Sequence, residues 1–168
     1  MDLHTLPFTF VQPSEGETVF LGSLTATVKI PSTATYGAVA LVEHTLAAGF
    51  LGAPPHRHQR EDEISYVLEG ELTVQIGDQI QVVSAGTSIL KPRGIMHTFW
   101  NAGTIPVRFL EIIAPGGVEN YFAARAKLIT TAGPPDMAAI AAVQQQYALT
   151  FDRDAVPELL QRYGLRLM

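Results

Sequence analysis

The chain has 168 residues, of which 47% are hydrophobic and 16% charged, so it is long and apolar enough to bury the core of one domain. Its 11 lysines and arginines against 16 aspartates and glutamates give a net charge of −5 without a basic run, which excludes the electrostatic footprint of a nucleic-acid-binding protein. It has no cysteine, which excludes disulfides, thiolate metal ligands and cysteine nucleophiles.

The beginning of the chain lacks the basic and apolar regions of a signal peptide. No apolar run approaches the roughly eighteen residues that a membrane-spanning helix needs. We therefore expect a cytoplasmic protein with no membrane partner.

Short β-strand patterns follow one another at even intervals over the first two thirds of the chain. Residues 1–17 are expected to form an arm that pairs with a barrel edge or with a partner subunit. Strands are then expected over residues 18–30 (with a turn at Gly22-Ser23), 38–45, 63–68, 72–76, 80–83, 87–90, 97–101 and 107–113. Short, evenly spaced strands separated by glycine and proline favour an all-β sandwich or barrel.

The pattern becomes helical after residue 117. Apolar residues recur at helical spacing up to Ile129, and Gly133-Pro-Pro is expected to end that helix. Asp136 is suited to cap a second helix, and a third is expected to begin near Asp152 or Asp154 and to end at Gly164.

Three of the five histidines lie between residues 49 and 101. His56 and His58 are two residues apart, so on an extended segment both imidazoles leave the same face and can reach one ion. His97 follows the Pro92-Arg-Gly94 turn, which would aim it back inward. Three neutral imidazoles and a carboxylate suit Mn, Fe, Co, Ni, Cu or Zn.

The carboxylate of this site is open among Glu61, Asp62 and Glu63. Strict alternation would place Glu63 opposite the histidine pair, so the polar link between them must turn or bulge. Glu63 is preferred because it shares one face of the predicted strand with Ser65 and Val67. The Glu61-Asp62 pair is interpreted as part of a solvated loop.

Two motifs in this region match a known family. They are His56-x-His58, four residues, Glu63, six residues and Gly70, and then Gly86, five residues, Pro92-x-Gly94, two residues, His97, three residues and Asn101. These segments resemble the two motifs of the cupin superfamily. The first departs slightly, because six residues separate Gly49 from His56 where the family usually has five.

The resemblance implies a mainly β double-stranded β-helix, or jelly roll, with one divalent transition metal inside the barrel. It implies that the metal ligands are His56, His58, Glu63 and His97. The likeness runs from about residue 15 to 115, and helices over about 117–164 are expected to pack on this barrel, so residues 1–168 are interpreted as one cupin domain. The resemblance also implies a homodimer.

Residues 116–122 and the helices after them are similar to single-domain cupins described as quercetin dioxygenase-like. That likeness implies a metal-dependent dioxygenase that cleaves an aromatic or enol substrate with dioxygen, with Glu63 as the catalytic base. Phe99 and Trp100 are then either an aromatic wall for a flat ligand or part of the barrel core.

Two other hypotheses use the same fold. A metal-dependent isomerase, decarboxylase or lyase acting on a small acid has the same ligands, and arginines lining the barrel would favour it; Arg57, Arg60 and Arg93 lie near the motifs. A small-molecule-binding cupin without turnover is the third hypothesis. His4 and His44 are interpreted as structural or solvent-facing.

Overall fold

The computed structural model describes residues 9–129 and 136–167. The strands in chain order are β1 Glu17–Leu21, β2 Leu24–Ile30, β3 Ala40–Leu46, β4 Phe50–His58, β5 Asp62–Glu69, β6 Glu71–Ile76, β7 Gln79–Ser84, β8 Ser88–Lys91, β9 His97–Asn101, β10 Val107–Ala114 and β11 Leu149–Phe151. The α-helices are α1 Glu119–Ile129, α2 Met137–Gln146 and α3 Val156–Tyr163, and a 3-10 helix spans Ser32–Thr35.

The strands form two antiparallel sheets that pack face to face as a jelly roll. One sheet has the order β1-β2-β3-β10-β5-β8, and the other has the order β11-β4-β9-β6-β7. The predicted mainly β, double-stranded β-helix with a short helical C-terminal segment is therefore confirmed. The hairpin predicted at Gly77-Asp78 joins β6 to β7, whose residues pair from Ile76↔Gln79 to Glu71↔Ser84.

The barrel interior follows the period-two alternation of the strands. In β10 the alternate residues Val107, Phe109, Glu111 and Ile113 are buried, while the residues between them are half-buried. The inward apolar residues of both sheets form one cluster. Glu111 has the same inward orientation in β10, so it places a carboxyl group inside the barrel.

Strand β4 carries two of the predicted ligands, although Pro54 and Pro55 lie within it. Proline cannot donate to a sheet hydrogen bond, so it is tolerated in strands mainly at bulges and edges. The register between β4 and β9 shifts between Leu51 and Ala53 and again between Ala53 and His56, which accommodates the prolines.

The C-terminal segment covers one side of the barrel. Helix α1 packs on β1, α2 packs on α1 and β11, and α3 packs on β4. Asp136 caps α2 as predicted, by accepting hydrogen bonds from two backbone amides, and Gly164 ends α3 in the left-handed conformation at φ 62°. The predicted break at Gly133-Pro-Pro lies outside the described residues.

The described part of the N-terminal arm is anchored to the barrel. The Lys29 ammonium donates to the backbone carbonyls of Gln12 and Pro13, at 2.8 and 3.0 Å. His4 lies outside the described residues. No helix over residues 9–129 and 136–167 has the length and apolar character needed to span a membrane.

Candidate metal centre

Four side chains from both sheets meet inside the barrel. His56 and His58 project inward from β4, with the exposed Arg57 between them. His97 lies opposite His56 on the neighbouring strand β9, and Glu63 reaches in from β5 of the other sheet. The ligand atoms of these four buried residues all lie within 4.8 Å of one another.

Glu63 lies between two of the imidazoles. Its Oε1 is 3.4 Å from Nε2 of His58, and its Oε2 is 3.2 Å from Nε2 of His97. The rings of His56 and His97 are 4.4 Å apart between centroids. Phe151 of β11 stacks on the His56 ring at 5.1 Å, so the C-terminal segment helps to fix this imidazole.

The tautomers of two histidines follow from their backbone contacts. Nδ1 of His56 donates to the carbonyl of Pro54 at 2.9 Å, and Nδ1 of His97 donates to the carbonyl of Ile95 at 3.1 Å. A carbonyl oxygen only accepts, so each Nδ1 carries the proton and each Nε2 keeps its lone pair. Metal-ligating histidines are usually oriented in this way.

Unsatisfied polar atoms are concentrated at the same point. Nε2 of His58 and Nε2 of His97 are buried and have no hydrogen-bond partner among the described residues. Buried polar atoms normally have a partner, because leaving one unpaired costs about 1–3 kcal/mol. Three imidazoles and one carboxylate are a donor set for a transition metal. The cluster therefore fits one divalent transition metal, whose identity the donor set leaves open.

The local electrostatics keep His56, His97 and Glu63 in the protonation states that bind a metal. Burial lowers the pKa of His56 well below its usual value, and it also lowers that of His97, so both are neutral near pH 7. Burial alone would raise the pKa of Glu63, but the charges of Lys91 and His58 outweigh it and hold that pKa well below its usual range.

The three candidate carboxylates have separate places. Glu63 is the one that joins the histidine cluster. Asp62 forms an exposed ion pair with Arg93, at 2.7 Å. Glu61 is 6% exposed and its Oε2 lies 3.6 Å from Nδ1 of His58, so the interpretation of Glu61 as a solvated residue is wrong.

A second charged group lies directly behind Glu63. The Lys91 ammonium is 3.0 Å from Oε2 of Glu63 and donates to Oε2 of Glu111 at 2.7 Å. Ser65 donates to the same Glu111 carboxylate at 3.1 Å. Burial alone would lower the pKa of Lys91, but the two carboxylates outweigh it and raise that pKa, so Lys91 is charged. Burial raises the pKa of Glu111 to about 7.

A cavity of about 280 Å³ leads from this cluster toward the C-terminal segment. Its polar lining includes His56, His58, Glu63, Lys91 and Glu111. Its aromatic lining consists of Phe99, Tyr121, Phe122 and Phe151. At the side of the C-terminal segment the lining also includes Arg125, Gln144 and Arg153.

Two aromatic residues predicted together have different roles. Phe99 lines the cavity. Trp100 is 0% exposed and packs away from the cavity, against Tyr163 at 4.7 Å and in a cluster with Leu51 and α3 residues. The alternation of β9 separates them, because neighbouring residues in a strand face opposite sides of the sheet.

Several other polar residues differ from their sequence-based interpretation. Of the two interpretations of His44, the solvent-facing one is wrong: the residue is 3% exposed, its Nδ1 lies 3.3 Å from the carbonyl of Thr25, and it lines the cavity. None of the arginines near the motifs lines the cavity; Arg57 and Arg60 are exposed. Lys91 and Glu111 were not predicted from the sequence as residues of the site. Glu111 was detectable, because it is in phase with the apolar inward residues of β10.

Comparison with known proteins agrees with this architecture. Residues 42–113 match the model of a protein family described as the cupin domain. The barrel has the cupin fold. A solved structure of KdgF from Halomonas sp. is similar with a TM-score of 0.59 and 19% identity, over 66% of this chain and 96% of that chain. A predicted oxalate decarboxylase from Thermotoga maritima has a TM-score of 0.59 and 23% identity, over 64% of this chain and 99% of that chain.

At these identities the structural likeness shows the fold alone. Among curated proteins, the oxalate oxidase GF-2.8 of Triticum aestivum is 45% identical over 58 residues, which are 30% of this chain and 26% of that protein. The match thus spans about a quarter of that relative's length. Both sequence motifs, residues 56–70 and 86–101, lie within the residues that match the family model. Residues 42–113 thus match the cupin domain, and the cluster inside this barrel fits one divalent metal, while the residues after 113 lie outside the matched part.

Proposed function

We propose that the chain is a metal-dependent cupin enzyme that moves protons on a small organic acid, as an isomerase, decarboxylase or lyase. In this proposal His56, His58, Glu63 and His97 hold the metal. The observation that carries the proposal is the buried Lys91–Glu111 pair, which lines the cavity next to Glu63. Such a pair places a charged hydrogen-bond donor, Lys91, and a carboxyl group that exchanges protons near neutral pH, Glu111, beside the substrate.

The two residues of this pair have complementary properties. Lys91 is a charged ammonium within hydrogen-bond distance of Glu63 and Glu111, and its raised pKa keeps it protonated, so it is suited to stabilise a substrate oxygen that gains negative charge. Glu111, with a pKa raised by burial to about 7, exchanges protons readily near neutral pH. Ser65 holds the Glu111 carboxylate in place.

The ion would supply Lewis-acid polarisation of a substrate oxygen when it is bound. Glu63 is less suited to act as a base in this chemistry, because neighbouring positive charges hold its pKa low and both of its oxygens face imidazoles. The charged groups at the cavity floor are buried, which strengthens the charge interactions between them. The 58-residue likeness to an oxalate oxidase, a protein named for a small acid, supports an acidic substrate.

The quercetinase-like dioxygenase remains the second candidate, with Glu63 as its base and dioxygen as co-substrate. The four aromatic rings that line the cavity support it, because they would suit a flat aromatic or enol substrate. Phe99 supports this proposal, whereas Trp100 does not, since it packs outside the cavity. A homodimer and a cytoplasmic location stay predictions, as does the assignment of residues 1–168 to one domain.

The experiment that separates the two candidates uses heavy water. Metal-loaded protein is incubated with a panel of 2-oxo, hydroxy and unsaturated acids in D₂O, and deuterium incorporation into carbon is followed by NMR while oxygen uptake is recorded with acids and with flavonols. The proposal predicts metal-dependent deuterium incorporation or product formation without oxygen uptake, lost in Lys91→Met. Flavonol-dependent oxygen uptake without exchange on any acid would contradict it and favour the dioxygenase.

A further inference from the structure

The polar groups on the C-terminal side of the cavity have no function in the chemistry above. Arg125 lies on α1 and Gln144 on α2, and both side chains line the cavity. Nη1 of Arg125 and Nε2 of Gln144 are buried and have no hydrogen-bond partner among the described residues. Two donors that lack partners in one cavity wall are a costly arrangement unless a ligand satisfies them.

The two donors converge on one place. Burial raises the pKa of Tyr121, and hydrogen bonding by the Gln144 and Arg125 side chains and the positive charges of Arg125 and Arg153 oppose that rise. Gln144 and Arg125 therefore approach the Tyr121 hydroxyl, while Nη1 of Arg125 and Nε2 of Gln144 have no partner in good hydrogen-bond geometry among the described residues. The Tyr121 side chain is 8% exposed and lines the same cavity. This cluster, which we call the donor cluster, consists of Tyr121, Arg125 and Gln144.

Among the described residues, no acidic side chain pairs with the positive charge in this part of the cavity. The acidic residues that line the cavity are Glu63 and Glu111, and both are already paired with Lys91. No ion pair within the described ranges includes Arg125 or Arg153. A guanidinium that is half-buried without a carboxylate partner favours an anionic ligand.

We propose that the donor cluster binds the carboxylate of the substrate, so that the substrate is an organic acid whose apolar body lies along the aromatic wall toward the metal centre. The inference rests on the proposed function only in that it calls the ligand a substrate. Binding of the carboxylate itself does not require turnover. It makes the helical C-terminal segment, beyond the family-matched residues 42–113, the part of the chain that selects the ligand.

The chemistry of the donors favours a carboxylate. One guanidinium edge and one amide N–H, with a hydroxyl beside them, match the two oxygens of a planar carboxylate. Phe122 and Phe151 line the same cavity and provide the apolar surface for the rest of the molecule. A strongly hydrated dianion such as a phosphate would need more donors than this cluster offers.

The test measures binding, so that it can succeed or fail independently of turnover. Phenylacetate, benzoate and hexanoate are titrated by calorimetry into zinc-loaded protein, each beside its primary amide, which has a similar shape without the charge. Phenyl phosphate is the anion control. The variants are Arg125→Met, Gln144→Leu and the matched control Arg162→Met, an exposed arginine on α3. Circular dichroism checks that each variant is folded.

A carboxylate can also bind a metal, so the titrations are repeated in the His56→Ala/His58→Ala chain. We expect at least one acid to bind about 10-fold or more tightly than its amide, and Arg125→Met to weaken the acid by about 10-fold to 100-fold. Gln144→Leu is expected to have a smaller effect and Arg162→Met none. The preference for the acid is expected to persist in the chain without the histidine pair.

The inference is overturned if no acid binds better than its amide, or if Arg125→Met weakens the acid no more than Arg162→Met does. It is also overturned if the preference disappears with the histidine pair, since the acid would then bind the metal alone, or if phenyl phosphate binds more tightly than every acid. An Arg125-dependent preference in a protein without turnover would keep this inference and remove the proposed enzyme function.

Discussion

The Lys91–Glu111 pair allows the electrostatics of the barrel to be tested by one substitution. Lys91 and Glu111 are each 2% exposed, and their charged atoms are 2.7 Å apart. Lys91→Met removes the cation and leaves the carboxylates of Glu63 and Glu111 buried side by side. Removing one partner of a buried pair typically costs about 3–5 kcal/mol of unfolding free energy. For a chain of this size the melting temperature should then fall by about 6–20 °C.

The pH dependence of this loss has a definite sign. The folded-state pKa of Glu111, about 7, lies above the ordinary value of a glutamate, so stability from this group decreases as the pH rises toward 7. Without Lys91 the folded-state pKa rises further, because the opposing cation is gone. The variant therefore keeps losing stability above pH 7 where the wild type no longer does, by at most about 1.4 kcal/mol per pH unit.

The assay is urea unfolding of metal-free protein at pH 6.5 and 8.5. Lys91→Met should be the less stable chain at both values, with the larger deficit at pH 8.5. Lys91→Met/Glu111→Leu should regain at least half of the loss, since an apolar pair of similar volume often replaces a buried ion pair without cost. The exposed Arg93–Asp62 pair is the control, and Arg93→Met should cost less than about 1 kcal/mol. A Lys91→Met chain within 1 kcal/mol of the wild type, or a double variant less stable than the single one, would refute the reasoning.

Three further expectations concern packing and metal binding. A Cβ at Gly52 would overlap the Phe99 ring, so Gly52→Ala should cost about 1–3 kcal/mol in urea unfolding, and Phe99→Leu in the same chain should restore most of it; an unchanged midpoint would show that the ring moves freely. Glu119 accepts hydrogen bonds from the backbone amides of Ser32, at the start of the 3-10 helix, and of Gly117, so Glu119→Ala should cost about 2–4 kcal/mol and Glu119→Gln less, and equal losses would contradict this role as an acceptor. Zinc at 100 times its Kd should stabilise the wild type by about 2.7 kcal/mol in thermal unfolding but not His97→Ala, and equal stabilisation of both would place the zinc elsewhere.

The barrel was predictable because its signals are local. The alternation of apolar residues in β6 shows which of its residues face inward, and the glycines at positions 70 and 77 mark turns at φ 78° and 55°. Strand phase favoured Glu63 but left Glu61 and Asp62 open, and the structure brings Glu63 into the cluster. Strand β4 was not predicted as a regular strand, because its two prolines remove hydrogen-bond donors and its bulges are set by pairing with β9.

The rest of the cavity depends on contacts between distant parts of the chain. Lys91 and Glu111 are 20 residues apart and meet only because β8 and β10 both pair with β5. A lysine before a proline gives no local sign of burial. Arg125 and Gln144 come together only when α2 packs on α1, and helical spacing alone does not show which face of either helix covers the barrel.

Metal content measured together with X-ray absorption spectroscopy tests the central claim most directly. The wild type, His58→Ala and His97→Ala would be loaded with zinc, cobalt or nickel and passed over a desalting column. The account predicts about one ion per wild-type chain, with the scattering of imidazole ligands, and loss of most of that ion in each variant. A wild type that retains no ion, or variants that retain the same ion with unchanged imidazole scattering, would contradict the assignment of this cluster as the metal centre.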